Sequence, residues 1–305
     1  MPHSALRAWT RPSPHGWSVR LSTSAIAAEG LSRAKVLDGE LRYFRAGSGT
    51  PVVLLHTLRT QLEYFDPLIR ELDLARFEVI AVDLPGHGES SAPRAKYSAD
   101  YFTGAIAGFL DVADVSGAIV AGDSIGASIG LLLAARRNPR VRGVVAANTY
   151  DYGRRGGVRR NSLLANVLFS TAMLPGIGAV AIHTEMKWEI QRVMASGLHD
   201  PRKLPPELVD ALHRCGSLPG HPRAFRSLLL EWRSWIDARE EYSKIEVPVT
   251  LAYGGEDWSK PAEREANARA IPHAQPLTIE NAGHFLSLDK PQEMARLIGE
   301  VATAR

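Results

Sequence analysis

The chain has 305 residues, 45% hydrophobic and 23% charged, which are the proportions of an ordinary globular protein and not of a disordered, collagen-like or disulfide-rich chain. The net charge of +3 is too small to indicate a nucleic-acid partner. The single cysteine, Cys215, excludes an internal disulfide and any multi-cysteine metal site. The length fits one large domain or one domain that carries an insertion.

Residues 1–30 are rich in Arg, Ser and Pro and contain no acidic residue before Glu29. We interpret them as a flexible N-terminal extension. The alternative is a mitochondrial transit peptide, since such peptides are also rich in Arg and Ser and poor in acids. The segment lacks the unbroken apolar stretch of a secretory signal. We therefore expect a cytoplasmic protein.

From residue 36 onward, short apolar segments alternate with amphipathic ones. This alternation predicts a mostly parallel α/β sheet with helices on both faces. Pro67 is expected to kink or restart the first helix. The predicted strands are 41–45, 52–55, 77–82, 118–121, 141–147, 247–252 and 274–279, and the predicted helices are 61–72, 99–115, 124–137, 262–270 and 291–304.

The alternation stops between two of these strands, where residues 151–243 show helices and prolines but no strand signal. The sequence thus predicts a core of residues 31–150 and 244–305 and a helical cap of residues 151–243. Residues 161–184 of the cap carry no Asp, Glu, Lys or Arg, but Pro175-Gly176 would break a membrane-spanning helix. We interpret this stretch as two short apolar helices. Contact of the cap with a membrane is an alternative that we favour less.

Gly122-Asp123-Ser124-Ile125-Gly126 stands where a predicted strand meets a predicted helix. This G-x-S-x-G pattern is typical of a nucleophile elbow, a sharp turn that lifts the serine hydroxyl clear of the sheet. Small residues two positions before and after the serine let strand and helix approach closely. The elbow makes Ser124 the candidate nucleophile.

Three further segments of the sequence accompany this elbow. Residues 52–58 form an apolar strand ending in a histidine and a loop, residues 82–90 a strand followed by a glycine-rich turn, and residues 281–285 read Asn-Ala-Gly-His-Phe before the last helix. Together they resemble α/β-hydrolase-fold enzymes with a helical cap, over about residues 36–303. The resemblance implies that fold and a triad in the order Ser…Asp…His.

The resemblance also implies the roles of the other two triad residues. A serine hydroxyl needs an adjacent base, and His284 lies in the loop that carries it in the family. The family places its acid after the strand that ends near residue 253, where Asp257 stands in a G-x-x-D arrangement. Glu256 and Asp123 are the rival carboxylates, and we rank both below Asp257.

The backbone N–H of Ile125, directly after the serine, is one expected donor to the oxyanion. The other is expected from Leu58, although Thr57 stands where the family commonly has Gly and is a rival donor. Thr57 is also a candidate substrate contact. Residues 56–61 resemble the corresponding loop of enol-lactonases, so Arg59 is a candidate for a substrate carboxylate, with an exposed arginine as the plainer interpretation. Trp258 is a candidate substrate contact in an apolar pocket wall, with core packing as the default interpretation.

The sequence therefore predicts a serine hydrolase that cleaves an ester or lactone of a small, largely apolar substrate through an acyl-enzyme. A carbon–carbon bond hydrolase or an acyltransferase on the same triad is one alternative. A non-catalytic small-molecule receptor of the same fold is another. No motif in the sequence requires a metal ion or an organic cofactor, and the only partner expected is the small-molecule substrate.

Overall fold

The computed structural model describes residues 24–26, 30–152, 156–274 and 276–304. Most of the predicted N-terminal extension, residues 1–30, lies outside these ranges. Of its described residues, Ser24 and Ala25 contact the core: the Ser24 hydroxyl and the Ala25 N–H both donate to Asp66, at 2.6 and 2.5 Å.

A single eight-stranded sheet forms the centre of the molecule, with the strands in the order β1-β2-β4-β3-β5-β6-β7-β8. β2 pairs antiparallel with both β1 and β4, and all other neighbours are parallel, which confirms the predicted fold class. Every predicted strand is present; β1 was not predicted. The strands are β1 Leu31–Val36, β2 Gly39–Gly47, β3 Thr50–Leu55, β4 Phe77–Val82, β5 Ala118–Asp123, β6 Val141–Ala147, β7 Val249–Gly254 and β8 Pro276–Ile279.

Two hydrophobic cores lie on the two faces of the sheet. Successive side chains of a strand point to opposite faces, so Val53 and Leu55 of β3 pack into one core and Val52 and Leu54 into the other. All four side chains are completely buried, as expected for a central parallel strand.

The helices follow the predicted order, with a division near the start and one short helix, Leu286–Asp289, that was not predicted. The predicted helix over residues 61–72 is divided into a 3₁₀ turn, Leu62–Phe65, and α1, because Pro67 has no N–H to bond back to the preceding turn and so stands in the first turn of a new helix. The core helices are α1 Asp66–Glu71, α2 Ala99–Val112 and α3 Ile125–Ala135, and, after β7, α11 Pro261–Ala270, α12 Leu286–Asp289 and α13 Pro291–Thr303.

Between β6 and β7 the described residues form helices and turns and no strand. The predicted pair of apolar helices around Pro175-Gly176 is confirmed. Within the described ranges, no helix is both long and apolar enough to cross a membrane. We call residues 151–243 the cap segment; its helices are α4 Val158–Asn161, α5 Leu163–Ala172, α6 Gly178–His183, α7 Lys187–Ala195, α8 Pro206–Gly216, α9 His221–Leu230 and α10 Trp232–Asp237.

Candidate active site

Ser124 stands at the sharp turn between β5 and α3. Its backbone has φ 57° and ψ −115°, a conformation that non-glycine residues rarely adopt and that is associated with functional turns. A Cβ on Gly122 would lie 2.6 Å from the Gly126 carbonyl carbon, and one on Gly126 would overlap the Leu55 carbonyl. Only glycine allows these close approaches, as the sequence pattern predicts.

His284 and Asp257 form a buried hydrogen-bonded pair. The distance between His284 Nδ1 and Asp257 Oδ1 is 2.6 Å, which leaves Nε2 as the ring nitrogen for a second partner. The other oxygen, Asp257 Oδ2, accepts hydrogen bonds from the N–H of Ser259, at 2.9 Å, and from its hydroxyl. Burial opposes ionisation of Asp257, but the His284 charge and these hydrogen bonds outweigh it and hold the pKa of the carboxyl below its usual value.

The two rival carboxylates bond elsewhere. Glu256 is exposed, and its Oε1 lies 2.6 Å from Nδ1 of His199 in the cap segment. Asp123 is fully buried and accepts a hydrogen bond from the Ser287 hydroxyl. Burial raises the pKa of Asp123 to about 6. Of these three carboxylates, the structure pairs Asp257 with His284.

Asn148 joins the loops that carry the acid and the histidine, a role that the sequence reading missed. Its amide nitrogen donates to the carbonyls of Gly283, at 3.1 Å, and His284, at 2.9 Å. Its amide oxygen accepts from the N–H of Gly254, at 2.9 Å, three residues before Asp257. In the sequence, the signal for such a role is a polar residue directly after an apolar strand. In the structure, Asn148 is completely buried, and a buried polar group needs hydrogen-bond partners.

The cap segment also holds the histidine loop. The carbonyl of Gly197, after α7, accepts hydrogen bonds from the N–H groups of His284, at 2.7 Å, and Phe285, at 3.2 Å. The Asp289 carboxylate accepts from Gly283 N–H and from His199 N–H, both at 2.8 Å. The position of the histidine therefore depends on the insertion, which no sequence motif indicates.

Trp258 stacks on the imidazole of His284. The ring centroids are 4.1 Å apart and the planes are inclined by 19°. The Trp258 indole N–H donates to the carbonyl of Ser196, at 3.3 Å. Trp258 thus lines the cavity, as predicted, and also restricts the rotation of the histidine ring.

The peptide between Thr57 and Leu58 has a fixed orientation. The Thr57 carbonyl accepts from His56 Nδ1, at 2.8 Å, from the Thr60 hydroxyl, at 2.8 Å, and from the Thr60 N–H, at 3.3 Å. Because C=O and N–H point in opposite directions across a trans peptide, the Leu58 N–H points away from these groups.

His56 keeps this peptide in place because it is neutral. Its Nε2 accepts the N–H of Leu84, at 3.0 Å, so Nδ1 carries the proton that is donated to Thr57. Burial lowers the pKa of His56 to about 4, so the ring remains uncharged at neutral pH.

The side chain of Arg59 is not exposed, in contrast to the plainer interpretation of the sequence. Its guanidinium donates to Glu185 of the cap segment, with a distance of 3.1 Å from Nε to Oε2 and a second bond from Nη2. Only 17% and 16% of the two side chains are accessible to solvent. In this arrangement the carboxylate that Arg59 binds is supplied by the protein itself.

A cavity of about 80 Å³ lies between the core and the cap segment and brings most of the predicted site residues together, although Asp257 and Ile125 are not part of its wall. Its wall includes Ser124, His284, Thr57, Leu58 and Arg59. Tyr152, which the sequence reading missed, also lines it, and burial raises the pKa of this tyrosine above its usual range. Most of the remaining wall is apolar, formed by Val158, Leu168, Phe169, Met173, Ile190, Val193, Met194, Leu229, Trp232, Trp258 and Phe285.

Comparison with known proteins gives the family. The sequence profile of the alpha/beta hydrolase fold matches residues 50–291, which is most of the chain. This chain belongs to the α/β-hydrolase-fold family. The matched range contains Ser124, Asp257 and His284 and spans the cap segment.

Two curated relatives and one solved structure illustrate this α/β-hydrolase's neighbours. The acetyltransferase component of the acetoin cleaving system of Pseudomonas putida is 27% identical over 86% of this chain and 66% of its own length. The 2-hydroxy-6-oxo-2,4-heptadienoate hydrolase of Pseudomonas putida is 24% identical over 85% of this chain and 91% of its own. The enol-lactonase structure from Burkholderia xenovorans LB400 has a TM-score of 0.69 and 23% identity, over 90% of this chain and 100% of that one.

Within the ranges that the structure describes, no group of three or more His, Cys, Asp or Glu side chains is arranged to hold a metal ion. The polar side chains in the wall of the cavity include those of Ser124, His284, Thr57, Tyr150, Tyr152, Arg59, Arg159 and Glu185.

Proposed function

We propose that this chain is a serine hydrolase that cleaves an ester or lactone of a small, largely apolar substrate through an acyl-enzyme. The observation that supports it most strongly is that Ser124, on its strained turn, and His284, already bonded to Asp257, line the same cavity. A serine of this kind needs a base whose tautomer is fixed by a carboxylate, and the pairing of His284 with Asp257 supports His284 in that role.

In this proposal the reaction has two halves. Ser124 Oγ attacks the carbonyl carbon and passes its proton to His284 Nε2, while the N–H groups of Ile125 and Leu58 stabilise the oxyanion. His284 then protonates the leaving alcohol, and the acyl group remains on Ser124. A water molecule attacks the acyl carbon and gives a proton to His284, which returns it to Ser124 as the acid leaves.

The wall of the cavity supports the proposed substrate class. Its apolar side chains suit an acyl or alcohol part without charge. Arg59 lies in the loop of residues 56–61 that carries the Leu58 N–H, which we call the oxyanion loop, and it is already bonded to Glu185, so a substrate carboxylate would have to displace a protein carboxylate there. Arg159, the other arginine in the wall, donates to the Ser170 hydroxyl. We therefore expect an uncharged ester to react faster than a carboxylate-bearing ester of the same length.

Labelling with a fluorophosphonate probe, which phosphorylates activated serines, tests the proposal. The wild-type chain should be labelled and should hydrolyse a short p-nitrophenyl ester, and Ser124→Ala should do neither. Lys187→Gln, which removes an exposed cap residue paired with Asp210, is the matched control and should behave as wild type. Labelling that persists in Ser124→Ala would refute the nucleophile, and no labelling with no turnover would favour the receptor alternative.

The second candidate is a carbon–carbon bond hydrolase or acyltransferase with the same triad. The relatives named as a heptadienoate hydrolase and as an acetyltransferase component are the observations that favour it. A panel of esters, lactones and dienoic diketo acids, with products identified by mass spectrometry, separates the candidates. If a diketo acid is split into two smaller products and no ester is hydrolysed, carbon–carbon cleavage would be favoured.

A further inference from the structure

Arg59 has a backbone conformation that its side chain type does not favour. Its φ is 62°, in the left-handed region that suits glycine, and it directly follows the proposed oxyanion donor Leu58. Such a conformation persists only where the surrounding contacts hold it, and it is common at functional loops.

Those contacts come from three parts of the cap segment. Glu185, between α6 and α7, accepts two hydrogen bonds from the guanidinium. The ring of Phe225 in α9 lies under the guanidinium, with its centroid 5.3 Å from Cζ. A Cβ on Gly216, at the end of α8, would overlap the guanidinium, so this helix approaches it closely.

The backbone of the same loop is fixed from the core side. His56 and Thr60 donate hydrogen bonds to the Thr57 carbonyl and so hold one side of the Thr57–Leu58 peptide. The Leu58 N–H is on the other side of this peptide, and the next residue, Arg59, is held by the cap segment. A shift of Glu185 would move the Arg59 side chain and, through one residue of strained backbone, this N–H.

We propose that Arg59 is a positioning residue that couples the cap segment to the oxyanion loop, with Glu185 as its partner. The Leu58 N–H is aligned with the developing oxyanion only while Glu185 holds Arg59. This inference rests on the proposed hydrolase function. It assigns to Arg59 a role in the transition state that does not require a charged substrate.

Glu185→Gln is the central variant, because it keeps the size of the side chain and removes its charge. For an uncharged p-nitrophenyl ester we expect kcat per labelled active site to fall about 10-fold, less than the 10²–10³ lost with a whole oxyanion donor. KM should stay within twofold. The inhibition constant of a trifluoromethyl ketone, which forms an oxyanion adduct on serine, should rise by the same factor as kcat falls.

Arg59→Gly gives an independent test in case Glu185→Gln does not fold. Glycine accepts the positive φ at this position, so the change removes the side chain without backbone strain. It should reproduce the loss in kcat, and the double variant should lose no more than Arg59→Gly alone, because both changes break one coupling. Arg59→Lys should recover part of the rate. Lys187→Gln remains the control in the same cap segment.

The outcomes that overturn the inference are distinct from failure of the proposed function. Unchanged kcat in both variants, or losses that add in the double variant, would show that Arg59 and Glu185 do not act together on the oxyanion. A rise in KM confined to a carboxylate-bearing ester would assign Arg59 to substrate binding instead. Absence of labelling in the wild-type chain would refute the serine hydrolase itself.

Discussion

Replacement of Asn148 by alanine tests whether one buried amide holds the two loops of the His–Asp pair together. The side chain makes three hydrogen bonds, to the carbonyls of Gly283 and His284 and from the N–H of Gly254. Asn148 also has φ 48°, a left-handed conformation that Asn tolerates better than Ala does.

The expected magnitude follows from these contacts. Three hydrogen bonds at about 1 kcal/mol each give roughly 3 kcal/mol. The left-handed backbone adds about 1 kcal/mol. A loss of about 4 kcal/mol in unfolding free energy lowers the melting temperature of a chain of this size by roughly 8 °C. Displacement of the histidine by about 1 Å would reduce kcat/KM by about 100-fold.

Calorimetry and ester kinetics on Asn148→Ala measure both effects. Asn138→Ala is the matched control, because that side chain accepts one hydrogen bond, from the N–H of Arg140 at 3.0 Å, away from the cavity. The control should lose at most about 1 kcal/mol and no activity. The reasoning is refuted if Asn148→Ala stays within 1 kcal/mol of wild type and keeps kcat/KM within threefold.

Two further predictions concern the histidines. Asp257→Asn should lower kcat about 10⁴-fold with the fold retained, because the amide does not secure the tautomer of His284; a loss under tenfold by stopped-flow kinetics would contradict the assigned acid. Because the pKa of Asp257 is held below its usual value, the acid limb of the wild-type kcat/KM profile should have unit slope, and a slope of two would show that both groups titrate. Burial lowers the pKa of His56 to about 4 from an unfolded value of about 6.5, so stability should fall as the pH falls through this window, by about 3 kcal/mol. His56→Gln has no imidazole to protonate, so its unfolding free energy should not show this fall. The difference in unfolding free energy between wild type and His56→Gln should therefore shrink by about 3 kcal/mol between pH 7 and pH 4. A difference that stays constant over this range would contradict a buried neutral His56.

The parallel sheet and the elbow could be predicted because local patterns dictate them. Apolar runs such as residues 52–55 fill a strand that is buried on both faces, and at Gly122 and Gly126 a side chain would collide with neighbouring backbone. β1 escaped prediction because it pairs at the edge, where its pattern of alternating exposure contains few large apolar residues. The strand bounds 77–82 and 141–147 agree with the structure to the residue.

The contacts that complete the candidate site could not be predicted, because they join residues distant in sequence. Glu185 meets Arg59 across 126 positions, and no local pattern connects them. Asn148 bonds residues 106 and 135 positions away. Sequence motifs locate the reactive groups, whereas tertiary packing decides how those groups are oriented.

The hydrogen bonds from His284 and Phe285 to Gly197 have a consequence for redesign of this enzyme. A chimera that replaces the whole segment between β6 and β7 with one from another hydrolase would exchange the substrate wall and also remove the carbonyl on which the histidine loop rests. Grafts confined to α5 and α6 would leave residues 196–200 in place and so separate selectivity from turnover. Libraries for new substrates should therefore vary α5 and α6 and keep residues 185–200, which include Glu185 and Gly197.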